Sequence, residues 1–194
     1  MTKLSDISRR DFIRTGSVAG LGLSLISFPN ILLGKDDRKV KIGLIGVGLR
    51  GRNHLNLLLR RVDVEVVAIC DIDANSLSAS REMIKKSGKK VVKEFTGSET
   101  AYLKLLEEDD IEGVIIATPW LWHTRMAVDT MKAGKYAGVE VSAANTLEEC
   151  WDLVNTQEET GKPVMILENV CYRRDVMAVM QMVRDGLFGE LTHL

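Results

Sequence analysis

Apolar runs of four to seven residues alternate with helical stretches along this 194-residue chain. That alternation predicts an α/β fold with a doubly wound parallel sheet. Two further observations support it. Most of the runs are nearly continuous in apolar residues, as strands buried on both faces require. The first run leads into a glycine turn, Gly46-Val-Gly48-Leu49-Arg50-Gly51, and the second ends twenty residues later at Asp71.

The elements follow in order. Val40–Ile45 is the first strand, residues 52–59 the first helix and Val64–Cys70 the second strand. Residues 75–86 read as a helix closed at Gly88. A short third strand follows at residues 90–95. A helix over 98–107 has Ala101, Leu103, Leu105 and Leu106 as its inward residues. The fourth strand, 113–118, stops at Pro119, which cannot continue a ladder. Residues 122–133 form a helix ended at Gly134, and 136–141 the fifth strand. Residues 146–160 carry a capping box from Thr146 to Glu149, with Gly161 closing the helix. Residues 164–167 are the sixth strand, and 175–185 a last helix. Residues 190–194 read as the opening of another strand. A strand without a partner leaves its backbone unsatisfied, so the expectation is a sequence cut at the entry to a second domain.

The glycine turn and Asp71 together form a dinucleotide-binding βαβ unit of the Rossmann type. Gly46 allows the tight turn, Gly48 lets backbone approach a pyrophosphate, and Gly51 lets helix and strand pack closely. Free N–H groups at the helix start face the phosphates. Asp71 accepts from a ribose 2′-hydroxyl and repels a 2′-phosphate, which favours NAD over NADP. The competing readings are a flexible glycine loop and Asp71 as a helix cap. In parallel sheets ligands bind beyond the C-terminal strand ends. That singles out residues 46–51, Asp71, 118–123, 140–142 and 168–172.

Charge is balanced, with 26 basic and 27 acidic residues, so no polyanion partner is implied. No basic patch interleaved with aromatics points to nucleic acid. Cys70, Cys150 and Cys171 show no paired spacing; Cys70 and Cys150 read as small core residues. His54, His123 and His193 lack metal-ligand spacing, so no metal is expected. Residues 1–34 read as an address outside the fold. Ser8-Arg9-Arg10-Asp11-Phe12-Ile13-Arg14 matches a twin-arginine export pattern. The apolar run behind it, residues 18–28, is too short to span a bilayer alone. Export to the periplasm is expected, with the leader cleaved or kept as a membrane tether. The domains are then 1–34 (signal), 35–168 (Rossmann domain) and 169–194 (linker helix and first strand of a truncated α/β domain).

Thr118-Pro119-x-x-x-His123, Ala133-Gly134-Lys135 and Val139-Glu140 make residues 39–194 resemble the Gfo/Idh/MocA oxidoreductases. Dehydrogenases of that family usually carry Glu-Lys-Pro after the fifth strand, and this chain has Glu140-Val141-Ser142. Valine neither donates nor accepts a proton. A narrower resemblance fits this departure. Thr118-Pro-Trp-Leu-Trp-His123, Glu140-Val-Ser142, Glu148-Glu-Cys-Trp151 and Glu168-Asn-Val-Cys-Tyr-Arg-Arg174 look like glycoside hydrolase family 109, the NAD-dependent α-N-acetylgalactosaminidases. That resemblance implies hydrolysis through transient oxidation of the sugar, elimination, water addition and reduction, with NAD kept bound. This differs from the two-carboxylate route of most glycosidases.

Carried over residue by residue, the resemblance implies cofactor contacts at Gly48, Leu49 and Arg50 by the pyrophosphate and at Asp71 by the adenine ribose. Trp120, Leu121, Trp122 and His123 run along the dinucleotide. Glu140, Val141 and Asn169 lie at its nicotinamide half, and Tyr172 faces substrate. Catalytic residues are expected beyond Leu194. Plainer roles stand beside these. Trp120 and Trp122 pack the turn, His123 caps its helix, Glu140 pairs with a lysine, and Asn169 holds a turn. The implied partners are α-linked N-acetylgalactosamine glycans and the twin-arginine export machinery, with a second copy of the chain kept as a candidate. The alternatives are an exported sugar oxidoreductase with net turnover and a non-catalytic NAD-binding remnant.

Overall fold

The computed structural model describes residues 38–192; the expected twin-arginine segment and His193 lie outside the described residues. Six parallel strands form one sheet: β1 (Val40–Ile45), β2 (Val64–Cys70), β3 (Lys93–Phe95), β4 (Gly113–Ile116), β5 (Tyr136–Val139) and β6 (Val164–Ile166). Their order is β3-β2-β1-β4-β5-β6. The chain moves outward from β1 in one direction and then, from β4, in the other. The strand order therefore reverses between β1 and β4, and that is where a doubly wound sheet opens its crevice.

The helices are α1 (Leu49–Leu59), α2 (Ala74–Lys86), α3 (Ala101–Leu106), α4 (His123–Lys132), α5 (Leu147–Thr160) and α6 (Arg174–Arg184). Two cores result, one per sheet face. Leu44, Leu55, Leu59, Ile69, Leu77 and Ile84 close the α1/α2 face. Ile45, Tyr102, Leu105, Ile116, Met131 and Val139 are among those closing the α3/α4/α5 face. Successive β1 residues Leu44 and Ile45 enter opposite cores, as the two-residue strand period dictates.

Several boundaries differ from the sequence reading. α1 begins at Leu49, three residues early, so Arg50 and Gly51 lie in its first turn. β3 starts at Lys93, and Val92 reaches the core from irregular backbone. In α3 Ala101, Leu105 and Leu106 are buried as expected, but Tyr102 is buried with them and Leu103 is exposed. Tyr102 donates to Asp129 Oδ2 at 2.6 Å, tying α3 to α4; burial, with that bond, pushes its phenol up to about 12. Cys70 is buried and its thiol is pushed up to about 12 by burial, but Cys150 is exposed. The buried residues of α5 are Leu153 and Thr156, and Cys150, nearly a turn before Leu153, is left uncovered. The capping box of α5 forms as expected, with Gly161 left-handed at its end. None of the residues of α6 is buried. Residues 190–192, the described part of the expected last strand, form no strand.

Candidate functional site

The glycine turn joins β1 to α1 at the switch point. Gly46 has φ +83°, and a Cβ there would meet the Ala117 carbonyl at 2.6 Å. A Cβ on Gly51 would stand 1.9 Å from the Gly46 carbonyl oxygen. These two glycines are required by the protein's own backbone. A Cβ on Gly48 would meet nothing within 4 Å. Gly48 is the N-cap of α1, without a side-chain cap, and the first turn holds no acid. The opening N–H groups therefore face open space with the positive end of the helix dipole behind them. That arrangement suits a pyrophosphate, and Leu49, exposed at the first helical position, supplies one of those amides.

Asp71 lies just past β2, beneath this turn. Its Oδ2 accepts from the Val47 N–H at 2.8 Å and its Oδ1 from the Asp73 N–H at 2.9 Å. One bond is spent on each oxygen, so each keeps a lone pair for a hydroxyl. The capping reading of Asp71 is excluded, because Asp73 caps α2 through the N–H groups of Asn75 and Ser76. A cleft of about 410 Å³ opens here, walled by Gly48, Asp71, Ile72, Thr118, Pro119 and Trp122.

The loop after β4 is pinned to the loop after β5. His123 is 1% exposed, with Nδ1 2.7 Å from the Ser142 carbonyl and Nε2 2.7 Å from the Thr118 carbonyl. Thr124 Oγ1 donates to the Ala143 carbonyl at 2.9 Å, and Asn145 Nδ2 to the Trp120 carbonyl at 3.2 Å. The imidazole of His123 thus braces the turn from inside. Trp120 and Leu121, in the short 3₁₀ turn before α4, are exposed. Trp122 lines the cleft, with the Arg125 guanidinium 5.3 Å from its ring.

Beyond the turn, α1, β5 and β6 converge on one carboxylate. Glu140 is 7% exposed, and its Oε1 accepts from Arg50 Nε and His54 Nε2, both at 2.6 Å. Arg50 Nη2 donates to Asn169 Oδ1 at 3.1 Å. The Arg50 side chain, expected at the pyrophosphate, is therefore turned toward the ends of β5 and β6. Glu140 takes arginine and histidine where a lysine had been considered. Burial pushes the Glu140 carboxyl up, but the bonds and charges of His54 and Arg50 outweigh it and hold the group below its ordinary value. Its folded value is depressed, so its stabilising effect is complete above the ordinary 4.5 and is lost as pH falls through the folded value. Glu140→Gln is expected to flatten the acid limb of a stability–pH curve measured by urea unfolding.

Val141 is 40% exposed beside this cluster, and its peptide with Ser142 is cis. Tyr172 lines a second cleft of about 300 Å³ with Arg50, His54 and Asn169. Asn169 precedes the 3₁₀ turn of residues 170–172. Sequence reasoning missed His54. The signal was its place four residues after Arg50, on the same helix face. Among the described residues, no group of three His, Cys, Asp or Glu side chains is placed to hold a metal ion.

A family model described as an oxidoreductase family with an NAD-binding Rossmann fold, Gfo/Idh/MocA, matches residues 40–168. The chain belongs to the Gfo/Idh/MocA family. Its cofactor is NAD, which the space above Gly48 and the free acceptor positions of Asp71 fit. An α-N-acetylgalactosaminidase of Tannerella forsythia is 44% identical over 96% of this chain and 44% of its own length. A glycosyl hydrolase family 109 protein of Stenotrophomonas maltophilia is 48% identical over 97% of this chain and 41% of its own length. The Gfo/Idh/MocA chain described here thus spans under half the length of the curated relatives it matches. Among solved structures, the WlbA dehydrogenase of Chromobactrium violaceum with NADH and UDP-GlcNAcA has a TM-score of 0.70 at 22% identity, over 85% of this chain and 44% of its own. A scyllo-inositol dehydrogenase of Lactobacillus casei with NAD(H) and scyllo-inositol has a TM-score of 0.69 at 18% identity, over 80% and 44%. These likenesses establish the fold.

Proposed function

We propose that this chain is the NAD-binding part of a glycosidase that releases α-linked N-acetylgalactosamine. One observation carries the reading: a relative named for that activity matches 96% of the chain at 44% identity, and a glycosyl hydrolase family 109 protein matches 97% of it at 48%. Val141 supports it, since a sugar dehydrogenase needs a proton-carrying side chain where this chain places a hydrocarbon. The same point weighs against net sugar oxidation.

When bound, NAD supplies reversible oxidation of a sugar carbon. The chain's residues hold it in parts. The amides at Gly48 and Leu49 bind phosphate oxygens, and Asp71 accepts from the adenine ribose. Trp120, Leu121 and Trp122 flank the dinucleotide from the loop that His123 braces. Glu140, Val141 and Asn169 meet its nicotinamide half, and Tyr172 stands toward the sugar. A cofactor kept through each turnover needs contacts along its whole length, and the two ends of this site, at Asp71 and at Glu140, supply them. The twin-arginine pattern adds export of the folded, cofactor-loaded protein as part of the proposal.

The test is release of aglycone from a chromogenic α-N-acetylgalactosaminide by the protein expressed from its whole gene. No release with or without added NAD refutes the reading. A smaller expectation concerns Asp71. Asp71→Ser removes the charge that repels a 2′-phosphate, so calorimetry should show NAD affinity down by about 10-fold and NADP affinity unchanged or raised. Unchanged selectivity would remove Asp71 from the ribose site.

A further inference from the structure

Glu140 poses a question the turn does not answer. A buried carboxylate needs partners, and this one places both on a single oxygen. We propose that His54 is a positioning residue of the dinucleotide site: with Arg50 it grips Glu140 by Oε1 and leaves Oε2 to accept from the nicotinamide half of the bound cofactor. This rests on the reading of the cleft as an NAD site.

Four observations carry the proposal. First, Oε2 of Glu140 takes no hydrogen bond among the described residues, and no fully buried polar side-chain atom there lacks a partner. Oε2 therefore reaches accessible space. Second, that space lies at the C-terminal strand ends. The Glu140 N–H donates to the Ile116 carbonyl at 3.0 Å, which fixes its backbone beside β4 at the ligand end of the sheet.

Third, His54 is the stiffer of the two donors. Its side chain is 15% exposed, against 43% for Arg50, and it has two torsions to fix where arginine has four. A carboxylate only accepts, so the Nε2 of His54 carries the proton in this bond. Fourth, both donors come from α1, whose start is the glycine turn. One rigid helix therefore carries the pyrophosphate amides at one end and, a turn later, the group that aims Glu140. Placement of the two halves of a dinucleotide is thereby coupled through the helix.

The experiment compares two ligands by calorimetry on the 194-residue chain: NAD⁺, and ADP-ribose, which lacks the nicotinamide. His54→Ala should weaken NAD⁺ by about 10-fold, the loss expected for one hydrogen bond to a charged group, and ADP-ribose by less than about 2-fold. His54→Gln, whose amide nitrogen sits where Nε2 does, should recover most of the loss. Glu140→Gln should weaken NAD⁺ similarly, and adding His54→Ala to it should cost little more. Should His54→Ala fail to fold, His54→Asn, whose amide matches Nδ1, should show the same NAD⁺-selective loss.

An equal effect on both ligands, or no effect on either, overturns the proposal and leaves His54 a structural residue. Full additivity with Glu140→Gln does the same. Failure of the unmodified chain to bind either ligand removes the NAD reading itself, and this proposal with it.

Discussion

Gly51→Ala is expected to unfold the glycine turn. Its new methyl would stand 1.9 Å from the Gly46 carbonyl oxygen, with the Ala117 Cβ on another side at 3.8 Å. Neither neighbour is the movable end of a side chain, so α1 must shift away from β1. Overpacking of this kind costs about 3 kcal/mol, or a fall in Tm of roughly 6–12 °C for a domain of this size. NAD binding should be lost at temperatures where the chain remains folded, because the helix start moves with the clash. Thermal unfolding by circular dichroism and calorimetry with NAD⁺ check both parts. The control is Gly48→Ala, which meets no protein atom within 4 Å. It should leave Tm nearly unchanged and still weaken NAD. If Gly48→Ala lowers Tm as much as Gly51→Ala does, the division between structural and ligand-facing glycines is wrong.

The second large effect is expected at His123. His123→Ala deletes a fully buried side chain whose ring nitrogens lie 2.7 Å from the Ser142 and Thr118 carbonyls. A cavity and an unpaired carbonyl acceptor together cost about 3–5 kcal/mol, which lowers Tm by roughly 6–20 °C. NAD affinity should fall in the surviving folded fraction, because the Trp120–Trp122 turn loses its brace to the β5 loop. Thr124→Val cuts one tie between the same loops and should cost about 1 kcal/mol. Retained stability in His123→Ala would show that the imidazole does not carry the loop pairing.

These two positions show what could be read from sequence and what could not. The glycine turn was legible because its geometry is local. A tight turn, an open approach and a close packing each demand glycine within six residues, whatever surrounds them. The central strands β1, β2 and β4 were legible because burial makes their composition mostly apolar. The capping box of α5 was legible for the same local reason. In α3 Ala101, Leu105 and Leu106 were legible as inward, but Leu103 was not: packing against Asp129 brings Tyr102 inward in its place. Cys150 was misread likewise, since a helix buries only the stripe its neighbours cover.

His123 was singled out by its motif, but its place inside the loop pairing was not legible. A sequence shows that a histidine follows a strand; only packing shows that both ring nitrogens are spent inside. Arg50 likewise sits in the turn, yet its side chain crosses to Glu140 and Asn169.

The sequence by itself determined the fold class, the glycine turn and the acid that stands at the end of the second strand. All three follow from backbone sterics and burial patterns over a few residues. The tertiary structure alone decided that Arg50, His54, Glu140 and Asn169 form one cluster. The residues of that cluster lie up to 119 positions apart in the chain, on α1, just past β5 and beyond β6. No local pattern records such a meeting, because it depends on the order in which strands are laid side by side in the sheet.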